Sequence, residues 1–152
     1  MVQLKEVTPQ NFEEVIGLKV LPRQEAFVAP NVRSLAEARV FPNAVPLAVC
    51  DGEKIVGFAM YGVDEDDGEY WICRLMIDAQ YQGKGYGRQA LEQLLARIRR
   101  EPDYDGQIFL SAEAENAGAI RLYQSLGFQF DGRVLEGERV MRLRSGPAGE
   151  AR

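Results

Sequence analysis

The chain has 152 residues, about the length of one ordinary domain, and its 46% apolar and 27% charged residues are the mixture of a folded globular protein. Lysine and arginine number 18 and aspartate and glutamate 23, so the formal net charge is −5. This acidic balance argues against nucleic acids and anionic membranes as partners, because their phosphates attract basic surfaces. The sequence has no apolar run of the roughly 18 residues that a transmembrane helix needs, so we expect a cytoplasmic protein.

The chain contains no histidine. Catalytic triads built on an imidazole and zinc sites with histidine ligands are therefore excluded. Proton transfer must use Tyr, Asp, Glu, Lys, Cys or water. The two cysteines, Cys50 and Cys73, lie in apolar runs without CxxC spacing, so we expect neither a disulfide scaffold nor a metal site.

Hydrophobic periodicity and turn residues predict elements in the order β-α-α-β-β-β-α-β-α-β-β. In chain order these are strand 2–7, helix 9–20, a helix capped by Ser34 and ending near 41, strands 47–50, 55–62 and 70–78, a helix from 88, strand 107–111, a helix capped by Asn116, and strands 128–130 and 139–143. Thr8 and Pro9 are typical of a helix start, and Ser34 with Glu37 forms a capping-box pattern after a loop over 23–33.

A helix connects the predicted fourth and fifth strands, so those two strands must run parallel within an otherwise antiparallel sheet. The fold class is therefore α/β, a mixed and mostly antiparallel sheet with helices on both faces. We expect one domain, 1–144, and a flexible tail, 145–152, whose residues are small and polar.

A glycine-rich turn at 82–88 lies between the fourth strand and the third helix. Backbone N–H groups and the helix dipole at such a turn suit a phosphate or pyrophosphate, and glycine lets the ligand approach closely. The turn is not a phosphate loop of the GxxxxGK[ST] type, because Lys84 is not followed by Ser or Thr. It is not a dinucleotide fingerprint either, because Arg88 stands where a glycine is needed. A plain flexible turn is the alternative.

A second motif runs from Asn116 through Tyr123 to Gly127 and Phe128. Taken singly, Asn116 is an ordinary helix cap and Tyr123 an ordinary core aromatic. Taken with the turn Gln82-x-x-Gly85-x-Gly87, however, the pattern Asn116-x-x-Ala119-x-x-Leu122-Tyr123-x-x-x-Gly127-Phe128 resembles the GCN5-related N-acetyltransferase (GNAT) family over nearly the whole chain. Segments 34–38, 56–61, 70–78 and 136–141 resemble its bacterial spermine/spermidine acetyltransferase branch more narrowly.

The resemblance implies the GNAT fold, acetyl-CoA as co-substrate and no metal. The acetyl-CoA would lie in a V-shaped gap between the fourth and fifth strands, with its pantetheine arm paired to the fourth strand and its pyrophosphate in the turn. The residues implied for acetyl-CoA binding are Leu75, Met76, Ile77, Gln82, Gly83, Lys84, Gly85, Tyr86, Gly87, Arg88, Asn116 and Tyr123. Tyr123 would also protonate the departing thiolate.

The general base is expected among carboxylates, since there is no histidine. Glu69 precedes the fourth strand and shares a face with Trp71, so it is the leading candidate, with Glu113 and Glu115 as competitors. Each of these is a solvated surface charge in the simplest interpretation.

For the acceptor we expect Glu25, Glu37 and Arg74 as binding residues. Arg74 interrupts an apolar strand, so it either pairs with a buried carboxylate or points into the substrate cavity. The acidic run 64–67 could attract a cation or simply form a polar turn.

The leading hypothesis is an acetyl-CoA-dependent N-acetyltransferase that acts on a primary amine of a small cation such as spermidine or spermine, as a homodimer. Another amine (an amino sugar, an amino acid, an antibiotic or a protein N-terminus) is the alternative within this class. A non-catalytic acyl-CoA-binding regulatory module is the alternative from a different class.

Overall fold

The computed structural model describes residues 1–144, which form one mixed sheet with helices on both faces. The strands of these residues are β1 (Val2–Glu6), β2 (Ala44–Asp51), β3 (Lys54–Val63), β4 (Tyr70–Ile77), β5 (Gln107–Ala112), β6 (Gln129–Leu135) and β7 (Glu138–Arg144). Their α-helices are α1 (Phe12–Gly17), α2 (Asn31–Val40), α3 (Tyr86–Arg99) and α4 (Ala117–Ser125), and 3-10 helices cover Pro22–Phe27 and Ala79–Tyr81. The predicted tail, 145–152, lies outside the described residues.

The seven strands lie in the order β1-β2-β3-β4-β5-β7-β6. Neighbours pair antiparallel except β4 and β5, which are parallel because α3 crosses between them. That parallel pairing covers only Tyr70 with Ile108 and Trp71 with Phe109, after which β4 and β5 separate. The predicted fold class is therefore confirmed, including the gap between the fourth and fifth strands.

Two apolar layers hold the helices against the sheet. On one face, α3 buries Ala90, Leu91, Leu94, Leu95 and Ile98, and α4 adds partly buried side chains. On the other face, Val15 of α1 and Leu35 of α2 pack around Phe58 and Met76. Burial of these layers fixes β4 between two helical layers, and β4 carries the residues that border the gap.

A β-bulge in β4 changes which side chains face each layer. Met60 of β3 pairs with Arg74, but the next residue of β3, Tyr61, pairs with Ile72, so Cys73 is left without a partner across this ladder. Tyr70 and Ile72 face the α3 layer before the bulge, and Leu75 and Ile77 face it afterwards. The regular alternation of β4 side chains between the two faces of the sheet is therefore interrupted at Cys73.

Three helix starts differ from the prediction, and the smallest difference is at α3, which begins at Tyr86 rather than at 88. The first helix begins at Phe12 rather than Pro9, because Thr8 and Asn11 form a turn in which the Asn11 side chain accepts from the Thr8 N–H at 2.8 Å. The second begins at Asn31, so Ser34 lies inside α2 and is fully buried, and the prediction of a Ser34 cap was wrong. Pro30 occupies the N-cap position instead, immediately before Asn31, and its fixed φ suits the entry into a helix. The predicted loop 23–33 contains the 3-10 helix Pro22–Phe27.

Candidate active site

The separation of β4 from β5 opens a cleft of about 1210 Å³. One wall is β4 from Trp71 to Ile77, and the other is the end of β5 with the start of α4. The β6–β7 hairpin closes one end, and the turn before α3, which contacts Gln24 of the segment 20–29, closes the other. The predicted residues that line the cleft are Arg74, Leu75, Met76, Ile77, Gln82, Gly83, Gly85, Tyr86, Gly87, Asn116 and Tyr123.

The β4 wall presents backbone groups to the cleft. Leu75, Met76 and Ile77 pair with Ala59, Phe58 and Gly57 of β3 along one edge. Their other edge borders the cleft, because β5 has already separated from β4. Alternate N–H and C=O groups on such an edge can pair with an extended ligand as an added strand would. This edge fits a pantetheine arm.

The turn before α3 exposes backbone amides at the opposite end of the cleft. Gly85 precedes the helix with φ +85°, a conformation that glycine adopts without a Cβ penalty. Gly85 has no side chain with which to cap the helix, so the first amides of α3 are available to a ligand. Gly83, Gly85 and Gly87 all line the cleft. The site therefore fits an anion such as a diphosphate.

Gln82 holds this turn in place. Its Nε2 donates to the carbonyl of Ile77 at 2.9 Å and to Oε1 of Gln24 at 2.8 Å, and Gln24 returns a bond of 3.1 Å. Gln24 belongs to the 3-10 helix Pro22–Phe27 and also lines the cleft. No role was predicted for Gln24, because no local pattern in 22–27 indicates that this segment folds over the turn.

Lys84 and Arg88, predicted to contact phosphates, are not among the residues that line the cleft. The Lys84 ammonium lies 5.8 Å from the centre of the Tyr81 ring. The Arg88 guanidinium donates to Oγ of Ser125 at 2.9 Å and lies 3.3 Å from Glu92. In this structure both cations have other partners, and their phosphate contacts stay predictions.

Asn116, immediately before α4, and Tyr123, in the last turn of α4, both line the cleft. Within the described chain the Asn116 side chain makes no capping hydrogen bond, so it can face a ligand. Burial raises the pKa of Tyr123 to about 12, and the nearby negative charge of Glu138 adds to the shift. The Tyr123 hydroxyl is therefore protonated throughout the neutral range, as a general acid must be.

Two carboxylates that line the cleft come from its far end. Glu138 begins β7, and its Oε1 accepts a hydrogen bond from Oγ of Ser111 on β5 at 2.9 Å. Glu113 follows β5 and lines the cleft without being part of a strand. The predicted competitor Glu115 is exposed and does not line it. Sequence analysis gave Ser111 and Glu138 no role, since their contact depends on the pairing of β5 with β7.

Glu69, the leading candidate for a base, lies at the closed end of the β4–β5 pair. Its carboxylate lies 3.3 Å from Nε1 of Trp71 and 3.4 Å from the Arg133 guanidinium. Arg133 in turn stacks over the rings of Trp71 and Phe109 at 5.6 and 4.8 Å. Glu69 is not among the residues that line the cleft, so its predicted role as the base has no support in this geometry.

Arg74 combines the two alternatives that its position in an apolar strand suggested. Its Nη2 donates to both carboxylate oxygens of Glu37, at 2.9 and 3.1 Å, and Nη1 donates to the carbonyl of Cys73 at 2.8 Å. Arg74 also lines the cleft, while Glu37 lies behind it. Glu25, predicted to bind the acceptor, is exposed and lies outside the cleft.

Residues 1–144 contain no helix that is long and apolar enough to cross a membrane. In the same residues, no group of three or more Cys, Asp or Glu side chains is arranged to hold a metal ion. Both cysteines are free thiols, Cys50 in the core and Cys73 at the cleft.

Comparison with known proteins gives consistent results. Residues 12–128 match the model of the acetyltransferase (GNAT) family. The chain is 36% identical over 147 residues to the spermine/spermidine N(1)-acetyltransferase of Bacillus subtilis strain 168, an alignment that covers 92% of this chain and 96% of the relative.

Solved structures share the fold. An aminoglycoside acetyltransferase in complex with coenzyme A superposes with a TM-score of 0.77 at 19% identity, covering 95% of both chains. A spermidine N-acetyltransferase from Vibrio cholerae in complex with CoA and spermine superposes with a TM-score of 0.67 at 18% identity, covering 93% of this chain and 92% of the other.

Proposed function

This chain belongs to the GNAT family of acetyltransferases, and we propose that it transfers the acetyl group of acetyl-CoA to a primary amine of a small polycation, with spermidine or spermine as the leading acceptor. The observation that carries the proposal is the single cleft that joins the free edge of β4, the amides of α3 and Tyr123. The similarity to a spermine/spermidine acetyltransferase over nearly the full chain supports the choice of acceptor.

The residues that would hold acetyl-CoA follow the length of the cleft. The backbone of 75–77 pairs with the pantetheine arm, the amides of 83–87 bind the pyrophosphate, and Asn116 contacts the arm near the thioester. Acetyl-CoA supplies the acetyl group as an activated thioester. Backbone groups dominate this binding, which agrees with the engagement of Lys84 and Arg88 elsewhere.

Acetyl transfer requires a proton to leave the attacking nitrogen and a proton to reach the leaving sulfur. An amine with a pKa of about 10 is neutral only about one time in a thousand at pH 7, a cost of roughly 4 kcal/mol. The amine must therefore lose a proton before it attacks. Negative charge that develops on the carbonyl oxygen can be stabilised by a backbone N–H near Met76. Tyr123, protonated because of its burial, donates its proton to the leaving sulfur.

The acceptor end of the cleft suits a cation. Glu113, Glu136 and Glu138 line it, while the one arginine in the lining, Arg74, is neutralised by Glu37. These charges favour a polyamine over an acidic acceptor.

Turnover with a panel of amines tests the proposal, with release of free CoA thiol as the signal. We expect thiol release with spermidine and spermine, and none without an amine. Turnover with an aminoglycoside, an amino acid or a peptide N-terminus but not with polyamines would overturn the choice of acceptor. Acetyl-CoA binding without thiol release for any amine would favour a non-catalytic module.

We also propose a cytoplasmic homodimer. β6 is the edge strand of the sheet and exposes Val134 and Leu135, with 62% and 47% of their surface accessible. Exposed apolar residues on an edge strand are suited to pairing with a second copy. Light scattering at several protein concentrations tests this, and a mass of 17.0 kDa throughout would contradict it.

A further inference from the structure

The acceptor end of the cleft contains a carboxylate that is fixed by the fold. Glu138 is the first residue of β7. Every residue of β5 pairs with a residue of β7, from Gln107 with Arg144 to Ala112 with Arg139. This pairing places Glu138 just beyond the last paired residue and brings its Oε1 to 2.9 Å from Oγ of Ser111. The carboxylate is thus held by a hydroxyl at the cleft wall.

We propose that Glu138 receives the ammonium group of the acceptor and removes its proton, with Ser111 as the residue that positions it. This inference rests on the function proposed above and adds a catalytic residue to it. The proposal is carried by two facts: Glu138 and Ser111 line the same cleft as Tyr123, and Ser111 donates a hydrogen bond to Glu138.

Glu138 and Tyr123 stand where an acid–base pair is needed. Tyr123 comes from α4 and Glu138 from β7, and both side chains enter the one cleft. The reaction requires a base at the attacking nitrogen and an acid at the leaving sulfur. The nitrogen and the sulfur are both bonded to the acetyl carbonyl carbon during the transfer, so the base and the acid must lie near each other. A negative carboxylate also helps to keep the tyrosine protonated, so the two groups hold complementary protonation states.

The other carboxylates fit this role less well. Glu136 also lines the cleft, but it is exposed and lies in the turn between β6 and β7. Glu69 is paired with Arg133 at 3.4 Å and does not line the cleft. Glu113 lines the cleft but lies beyond the end of β5. Glu138 combines a place on a strand, a hydrogen bond that holds it and an electrostatic effect on Tyr123.

The proton balance closes with these two groups. Glu138 takes one proton from the ammonium, and the freed lone pair of nitrogen forms the C–N bond as the C–S bond breaks with its electrons on sulfur. Tyr123 protonates the sulfur, and the second proton lost by the nitrogen restores the tyrosine. Glu138 then releases its proton to water. An ammonium and acetyl-CoA thus become an amide, free CoA thiol and one proton.

Glu138→Gln removes the base while keeping the size of the side chain. We expect kcat with spermidine at pH 7 to fall by about 100-fold or more, while calorimetry shows acetyl-CoA affinity within about twofold of the wild type. Glu53→Gln is the matched control, because it removes the same charge from an exposed turn residue that does not line the cleft. Its activity should equal that of the wild type.

A second readout does not depend on turnover. NMR of ¹³C-labelled tyrosine follows the ionisation of Tyr123, which is assigned by its loss in Tyr123→Phe. In Glu138→Gln the pKa of Tyr123 should fall, because the negative charge beside it is gone. An unchanged pKa would show that Glu138 does not face Tyr123 and would overturn the proposal, whatever the activity.

Ser111→Ala and Ser111→Thr test the positioning role. Loss of the hydroxyl should lower kcat by about tenfold, the effect of one lost hydrogen bond to a charged group, and threonine should restore most of it. A purely structural serine would change the melting temperature in both variants without this rescue of kcat, which would contradict the positioning role.

The possible failures are distinguishable. If the wild type binds acetyl-CoA but acetylates no amine, the proposed function fails. If the wild type is active and Glu138→Gln keeps kcat within about threefold while Glu113→Gln loses it, the base is Glu113 and only the present inference is overturned.

Discussion

Along one part of the cleft, 75–77 and 82–88 present mainly backbone groups that come from a single continuous stretch of chain. At the acceptor end, the cleft is instead lined by side chains from segments that are far apart in sequence: Arg74, the end of β5 and the β6–β7 hairpin. Under the proposed function, the first region would bind acetyl-CoA through features that any sequence with the right glycines and strand can supply. The second depends on which side chains the fold happens to bring together.

The difference has a functional meaning. Acetyl-CoA is the same for every enzyme that uses it, so a backbone site with few side-chain contacts is sufficient. The acceptor must be distinguished from other amines, and discrimination needs charges and hydrogen bonds at defined positions. We therefore expect variants in the two regions to have separable effects on acetyl-CoA binding and on acceptor turnover.

The largest effect in the comparison is expected at Tyr123, where the two regions meet. Tyr123→Phe should lower kcat by roughly ten- to a thousandfold, because the leaving sulfur loses its proton donor. Acetyl-CoA affinity, measured by calorimetry, should stay near that of the wild type, since the ring still packs beside Phe128 with 6.1 Å between ring centres. An unchanged kcat, with chemistry shown to limit the rate, would place the acid elsewhere.

Gly85→Ala should act on the acetyl-CoA region alone. The residue has φ +85°, and a side chain in that conformation costs about 1–2 kcal/mol, which distorts the turn that offers the amides. We expect acetyl-CoA affinity to fall by about tenfold and the acceptor KM to change little. Gly17→Ala is the control, since it has an ordinary φ and open space around it. An equal change in the acceptor KM would show that the two regions are coupled.

Arg74→Lys should act on the acceptor region alone. Lysine has one nitrogen and no rigid fork, so it cannot reproduce the geometry in which Nη2 binds Glu37 while Nη1 donates to the Cys73 carbonyl. We expect the acceptor KM to rise by about threefold with acetyl-CoA affinity unchanged. Arg39→Lys, on an exposed position of α2, should leave both constants unchanged. A fall in acetyl-CoA affinity for Arg74→Lys would place this ion pair in the acetyl-CoA region.

The smallest expected effect is on stability at high pH. Tyr123 ionises near pH 10 in the unfolded chain, but its pKa is raised to about 12 in the folded protein. Its contribution to the free energy of unfolding is therefore complete below pH 10 and is lost as the pH rises through about 12. The melting temperature of Tyr123→Phe should decline less between pH 9 and 11 than that of the wild type, by about a few degrees. Parallel declines would show that the tyrosine ionises freely.

The contrast between a region built from one stretch of chain and a region built from distant segments also describes which features the sequence predicted. Hydrophobic periodicity and the helix between the fourth and fifth strands predicted the parallel pair, and the resemblance to the GNAT family implied the gap; the structure contains both. The glycines of 82–88 led to the turn, and Asn116 and Tyr123 were correctly expected at the cleft. The Ser34 cap failed because Pro30, immediately before the first helical residue Asn31, is itself a helix-start signal, four residues upstream of Ser34.

The amino-acid sequence by itself determined the elements, their order, the parallel crossover and the phosphate-type turn, because each of these depends on residues within one or two dozen positions of each other. Only the tertiary structure decided which charges meet at the acceptor end. The contact of Ser111 with Glu138 depends on the lateral pairing of β5 with β7, the contact of Gln24 with Gln82 on how a 3-10 helix folds over the turn, and the position of Arg74 on a bulge at Cys73. Register and long-range packing are set by the burial of the whole core, so no local pattern encodes them.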